Sequence, residues 1–238
     1  MPRIVKTSAI CLRVRNWRES SRIVTLLTPD FGLVTAVARG VRRPQNPRAA
    51  ALDLFAHSEI TIYLPKGSGL ATLSDAELLT RFPGLTITYE RFLTATRINR
   101  FLLRALFHHQ PEPRLFTLLE TTLNAIAAAP PESGELTGLV ASFLLKAISF
   151  LGFRPHFDRC AICHQPLNAP PVRFVIRRGG VVCPSCTKKE GIELTSAELD
   201  LLKTLLYTPV AQLTQLALPV KLTQLINLYT HFHLNLEK

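Results

Sequence analysis

Methionine occurs once, at Met1, and 17 acidic residues stand against 28 basic ones. Each scarcity excludes something. Without an internal methionine the chain lacks the axial ligand common in c-type haem proteins, although "CAICH" at 160–164 spells the C-x-x-C-H attachment string. The few carboxylates are scattered, with no pair set out for acid–base work. Gly67-Ser68-Gly69 after Lys66 lacks the spacing of a phosphate-binding loop. No export signal is evident: "MPRIVKTSAICLRVRNW" has charges every few residues and no apolar core ahead of a small-residue cleavage site. The most apolar stretch, 137–153, carries Lys146 and several hydroxyls and reads as a buried core helix rather than a membrane span. A cytoplasmic protein with reduced thiols is therefore expected.

What is present is cysteine in two close pairs. Four of the five cysteines form Cys160-x2-Cys163-x19-Cys183-x2-Cys186. Such pairs supply four thiolates to one tetrahedral ion, each pair turning around the metal. One structural Zn2+ is the leading reading; an empty or redox-active pair and an iron–sulfur cluster are the alternatives. Neither pair has the strand-to-helix setting of a thioredoxin-like motif. His156 and His164 flank the cysteines and read as neighbours or surface residues rather than ligands. His57-Ser58-Glu59 is an H-x-E string of the kind zinc deaminases use. That reading leaves Cys160 and Cys163 over, and a four-thiolate site keeps no open position for water.

The pattern along the chain changes near residue 82. "SAICLRVRNW" alternates, which puts Ile10, Leu12 and Val14 on one face and Cys11, Arg13, Arg15 and Trp17 on the other. Two strands flank the turn Pro29-Asp30-Phe31-Gly32. A polar loop, "VRRPQNPRAA", follows, and "FAHSEITIYL" and "GLATLSDAELL" supply further strands on either side of 65–69. Ser74 with Glu77 has the form of a capping box and predicts a short helix there. Five short strands and a helix fit a small OB-fold barrel. After Pro83-Gly84 the pattern is helical: 88–109, with apolar Phe92, Ile98, Leu102 and Leu106, then 114–129 and 136–152, the last two split by "PPESG". Thr195 and Glu198 form a second capping box, and a last helix starts near Val220. The fold class is thus α+β multidomain: an N-terminal OB-fold barrel (1–82), then an all-α domain (83–238) with a four-cysteine zinc module inserted at about 156–192.

Basic residues concentrate in the barrel. Residues 1–82 carry twelve Lys/Arg against six Asp/Glu, and ten of the twelve are arginine. Arginine forks match phosphate geometry in a way that solubility does not demand. With Trp17, Phe31 and Tyr63 as stacking surfaces, this is the composition of a sequence-tolerant strand binder. A solvated arginine face is the plainer alternative. His231 and His233, two apart on a helix, do not share a face for joint metal binding.

"RESSRIVTLLTPDFGLVTAVARGVRRPQ", then "LDLFAHSEITIYLPKGSGLATLSDAELLTRFPGL", resembles the amino-terminal part of the bacterial recombination-repair RecO family. The order of parts agrees, and the resemblance spans essentially the whole chain. It implies a DNA repair and recombination mediator without catalytic turnover. Such a protein binds single- and double-stranded DNA and anneals complementary strands. Its implied partners are RecR, the acidic C-terminal tail of single-strand-binding protein and, indirectly, RecA; no membrane is involved. It also implies a cytoplasmic, nucleoid-associated protein. The DNA-contacting residues it implies are Arg15, Arg18, Arg22, Arg39, Arg42 and Arg43. A zinc-ribbon protein of transcription or RNA processing is the alternative, and a zinc deaminase or hydrolase a weaker one.

Overall fold

The computed structural model describes residues 3–65, 69–107, 110–130, 136–167 and 171–234. Residues 66–68, most of the "PPESG" break and the expected helical residues beyond 234 lie outside them. The chain forms two compact units, Met1–Ile87 with Asn99–Leu123, and Thr88–Ile98 with Asn124–Lys238.

The first unit is built on β1 (Arg3–Trp17), β2 (Ser21–Thr28), β3 (Gly32–Ala38), β4 (His57–Leu64) and β5 (Ala71–Thr80), which close into an OB-like barrel in the order β1-β2-β3-β5-β4. The β3–β5 seam is parallel and only Ala36 to Ala38 long; every other pairing is antiparallel. Gly32 takes φ 62°, which closes the β2–β3 turn, and a Cβ there would lie 2.2 Å from the Gln110 carbonyl oxygen. Only glycine satisfies both demands.

Two expectations fail in this unit. The parity of β1 is inverted in its first half: Val5, Ala9 and Cys11 enter the barrel core, and Cys11 is fully buried. A bulge between Cys11 and Arg13 then resets the alternation, so that Val14 also packs against that core while Arg13 and Arg15 are exposed. The bulge takes Leu12 out of the ladder, and the buried Asn99 amide donates to its carbonyl at 2.7 Å. The second failure is the helix at Ser74. That segment is strand β5, in which Ser74 Oγ donates to Thr61 O at 3.0 Å and Glu77 pairs with Glu59. A helical turn forms instead at α1 (Arg48–Ala51), at the end of the segment expected to be a polar loop.

Helices α2 (Tyr89–Ala105) and α3 (Pro113–Ala128) follow the expected segments, except that Phe92 is 40% exposed while Ile98 and Leu102 are fully buried. In the second unit α4 (Thr137–Phe150) packs against α5 (Ser196–Tyr207) and α6 (Val220–Leu234). Helix α4 is apolar on nearly all sides because it is buried on nearly all sides. Among the described residues no helix is long and apolar enough to cross a membrane. Buried Arg91 donates to the carbonyls of Ala127 and Ala129, closing the C-terminus of α3. The expected capping box opens α5: Thr195 Oγ1 accepts from Glu198 N at 3.2 Å, and Glu198 Oε2 accepts from Thr195 N at 2.9 Å. Between α4 and α5 lies a small sheet ordered β7-β6-β8, from β6 (Val172–Val175), β7 (Gly180–Val182) and β8 (Ile192–Leu194).

Candidate metal centre and nucleic-acid interface

Two tight turns bring the cysteines together. In the first, His164 N donates to Cys160 O at 2.9 Å, and His164 takes φ 60° to complete the turn. In the second, Cys186 N donates to Cys183 O at 3.0 Å. Ala161 N donates to Val181 O at 2.8 Å, which fastens the first turn to β7 just before Cys183. Val175 and Val182 pack beneath Cys160.

The four sulfurs all lie within 4.8 Å of one another, with Cys163 and Cys183 3.8 Å apart. Four thiolates held about 2.3 Å from one ion stand about 3.8 Å apart at the corners of a tetrahedron. The residues therefore fit a metal ion. Ile162 N and Cys183 N approach Cys160 Sγ at 3.5 and 3.4 Å, as donors to a thiolate do. Burial opposes charge on Cys160, but the backbone N–H groups of Cys163, Cys183 and Ile162 outweigh it and bring its pKa down to about 6. Cys186 is pushed up to about 12 by its hydrogen bonds to Cys183 and Cys163. All four expected ligands meet; His156 and His164 stand outside the group.

The six expected arginines of the barrel gather at one end of it. Trp17 pairs with Ser21 across the β1–β2 turn, and Arg22 pairs with Ala38 at the end of β3, so residues 15–22 and 39–43 come to the same end. The two segments are tied directly. Arg42 N donates to Ser20 O at 2.9 Å, and Arg42 Nη1 to Arg18 O and Glu19 O at 3.3 and 3.2 Å. Arg18, at φ 53°, lays its guanidinium 4.2 Å from the centre of the Trp17 ring. Arg15, Arg18, Arg39, Arg42 and Arg43 are exposed. Arg22 is different: it is half-buried and donates to Asp53 Oδ1 at 3.1 Å and Ala49 O at 3.3 Å. Of the expected stacking surfaces, Trp17 and Phe31 are half-buried and Tyr63 is 38% exposed.

One constellation escaped the sequence reading. Ser8 Oγ lies 2.6 Å from His57 Nε2, and His57 Nδ1 lies 3.0 Å from Glu120 Oε1. The groups are in the order of an acyl-transfer triad, but Ser8 sits within the β1–β4 ladder, not on the exposed strand-to-helix turn of a nucleophile elbow. Its role is a polar contact between α3 and the barrel wall. No spacing in the sequence links residues 8, 57 and 120, so nothing there could have announced it.

An OB-like barrel, a helical unit and a four-thiol group inserted between helices define the class: an α+β protein that joins an OB-like barrel to a helical unit with a metal-binding module. Residues 1–82 match the family described as Recombination protein O N terminal, and residues 88–238 the one described as Recombination protein O C terminal. The chain belongs to the RecO family. It is 36% identical to the DNA repair protein RecO of Symbiobacterium thermophilum, over 85% of this chain and 80% of that one. The DNA repair protein RecO of Chlorobium limicola is 32% identical over 98% and 93%. That of Desulfitobacterium hafniense is 30% identical over 90% and 77%.

Proposed function

We propose that this chain is a non-catalytic recombination mediator that binds single- and double-stranded DNA, anneals complementary strands and, with RecR, helps load RecA on strands coated by single-strand-binding protein. The observation that carries the reading is the gathering of five exposed arginines at one end of the barrel, in a chain of the RecO family. Arg15, Arg18, Arg39, Arg42 and Arg43 take the phosphates; Arg22, held by Asp53, positions the turn beneath them. The ion in the four-thiol centre is zinc, one per chain, and its role is to hold the module together. The arginine end of the barrel, on residues 1–82, is the principal DNA site, and the protein partners bind 83–238. The acidic tail of single-strand-binding protein suits a groove beside the exposed Arg97, Arg100 and Arg104 of α2. Leu102 of the same helix is buried and belongs to the core. The protein acts in the cytoplasm, at the nucleoid.

The test is annealing of two complementary oligonucleotides, bare and pre-coated with single-strand-binding protein. The chain should accelerate both reactions at least tenfold. Acceleration of neither removes the reading, and acceleration of the bare strands alone removes the part concerning the coat.

A further inference from the structure

The second unit carries a cationic and aromatic surface that the barrel does not account for. At the turn between β6 and β7 (Ile176–Arg178), Arg177 and Arg178 stand exposed side by side. Neither makes an ion pair or a side-chain hydrogen bond among the described residues. Adjacent uncompensated guanidinium groups repel, and an anion removes that cost. The turn is seated against α6 through His233, whose Nε2 lies 3.0 Å from Ile176 O. Two phenylalanines stand against His233: Phe153 with its centroid 5.2 Å from the imidazole, and Phe232 at 5.0 Å, edge-on. Both rings are solvent-facing, 39% and 46% exposed. Phe153 is fixed to the interior, since Tyr229 Oη donates to Phe153 O at 3.0 Å and Tyr229 itself is buried.

We propose that Phe153, Phe232, Arg177 and Arg178 form a second nucleic-acid site, which stacks bases of a single strand on the two rings and holds its phosphates with the two arginines. Every base offers a π-face, so exposed rings beside guanidinium forks bind a strand without regard to sequence. An acidic peptide would use the charges, but it would leave two flat rings without flat partners. The inference rests on the DNA-binding reading and deepens it: a site in each unit lets one molecule hold two strands, which annealing requires.

The experiment is photo-cross-linking of the full chain to a 20-nucleotide thymidine strand carrying 5-iodouracil, with the attached peptides identified by mass spectrometry. Cross-links are expected at Phe153 and Phe232 as well as in the barrel. Arg177→Glu with Arg178→Glu should cut those at the two phenylalanines about tenfold and leave the barrel's within twofold. Phe232→Leu, which keeps an apolar side chain on α6, should remove its own cross-link while the metal content is unchanged. Cross-links confined to the barrel overturn the second site and leave the proposed function standing; no cross-link anywhere, with no binding, overturns the function itself. Polyglutamate protecting Phe153 and Phe232 as well as an equally charged oligonucleotide does would also overturn the site, since the surface would then read acid and not bases.

Discussion

Lys146 buries a charge in the packing of the second unit. Its Nζ donates to Ser142 Oγ and Leu205 O, both at 2.6 Å, and burial pushes its pKa down to about 8. A lysine depressed from its ordinary value binds its proton less well folded than unfolded, so between about pH 8 and the ordinary lysine range stability rises with pH. Lys146→Met should remove that rise. The check is the unfolding free energy of both chains in denaturant at pH 7 and pH 10, where the variant's gain should be the smaller. Leu205 O keeps its bond from Ser142 Oγ at 2.7 Å, so the exchange strands no carbonyl. Cys160 makes the opposite case, because in the proposed centre its partner would be the ion. It is 1% exposed and accepts two backbone N–H groups. Cys160→Ser should reduce bound metal by more than half and lower the thermal midpoint by roughly 5–10 °C, since metal binding at such sites is part of folding. Elemental analysis and a thermal scan read both; full metal content in the variant would show that Cys160 is no ligand.

The two capping-box patterns show what an element's own sequence can and cannot carry. Thr195-x-x-Glu198 opens α5 because Leu199, Leu202, Leu205 and Leu206 follow at helical spacing and are buried. Ser74-x-x-Glu77 has the same four-residue form but is followed within six residues by Pro83-Gly84, too soon for a helix to repay its nucleation. The deciding partner, β4, ends at Leu64, where a four-residue pattern at 74–77 cannot see it. The inverted face of β1 has a similar cause, since alternation is a reliable guide only until a bulge, and the bulge at Leu12 is paired with Asn99, 87 residues on. The β2–β3 turn was legible because its requirement is local. Gly32→Ala should cost at least about 1–2 kcal/mol from backbone conformation alone. The close Gln110 carbonyl adds to this, and the variant should unfold at lower denaturant with an unchanged slope.

At the scale of the whole molecule, the metal ligands were readable because spacing alone defines them. The arginines were readable as a set but not as a place. Pairing of Trp17 with Ser21 and of Arg22 with Ala38 is what folds residues 15–22 and 39–43 to one end, and it also shows that Arg22 is already held by Asp53. The second aromatic surface was not readable, because Phe153 and Phe232 share His233, which meets the β6–β7 turn at Ile176 only when that turn seats on α6. This difference sets the last prediction. The chain carries a net charge of +11, and a spread charge of that size alone would give weak binding eased by any single neutralisation. A gathered site behaves otherwise, since each phosphate contact on a single strand releases about 0.7 counterion. Five barrel arginines in contact should give a slope of about −3.5 for log affinity against log salt. Replacing Arg39, Arg42 and Arg43 by alanine should flatten it by roughly 2, equally for strands of any sequence. Arg22→Ala should instead lower stability, through the loss of its Asp53 partner, and change the slope by less than about half a unit. Fluorescence anisotropy of a labelled strand between about 50 and 200 mM salt measures the slope in each variant. An unchanged slope in the triple variant would place the strand somewhere other than this end of the barrel.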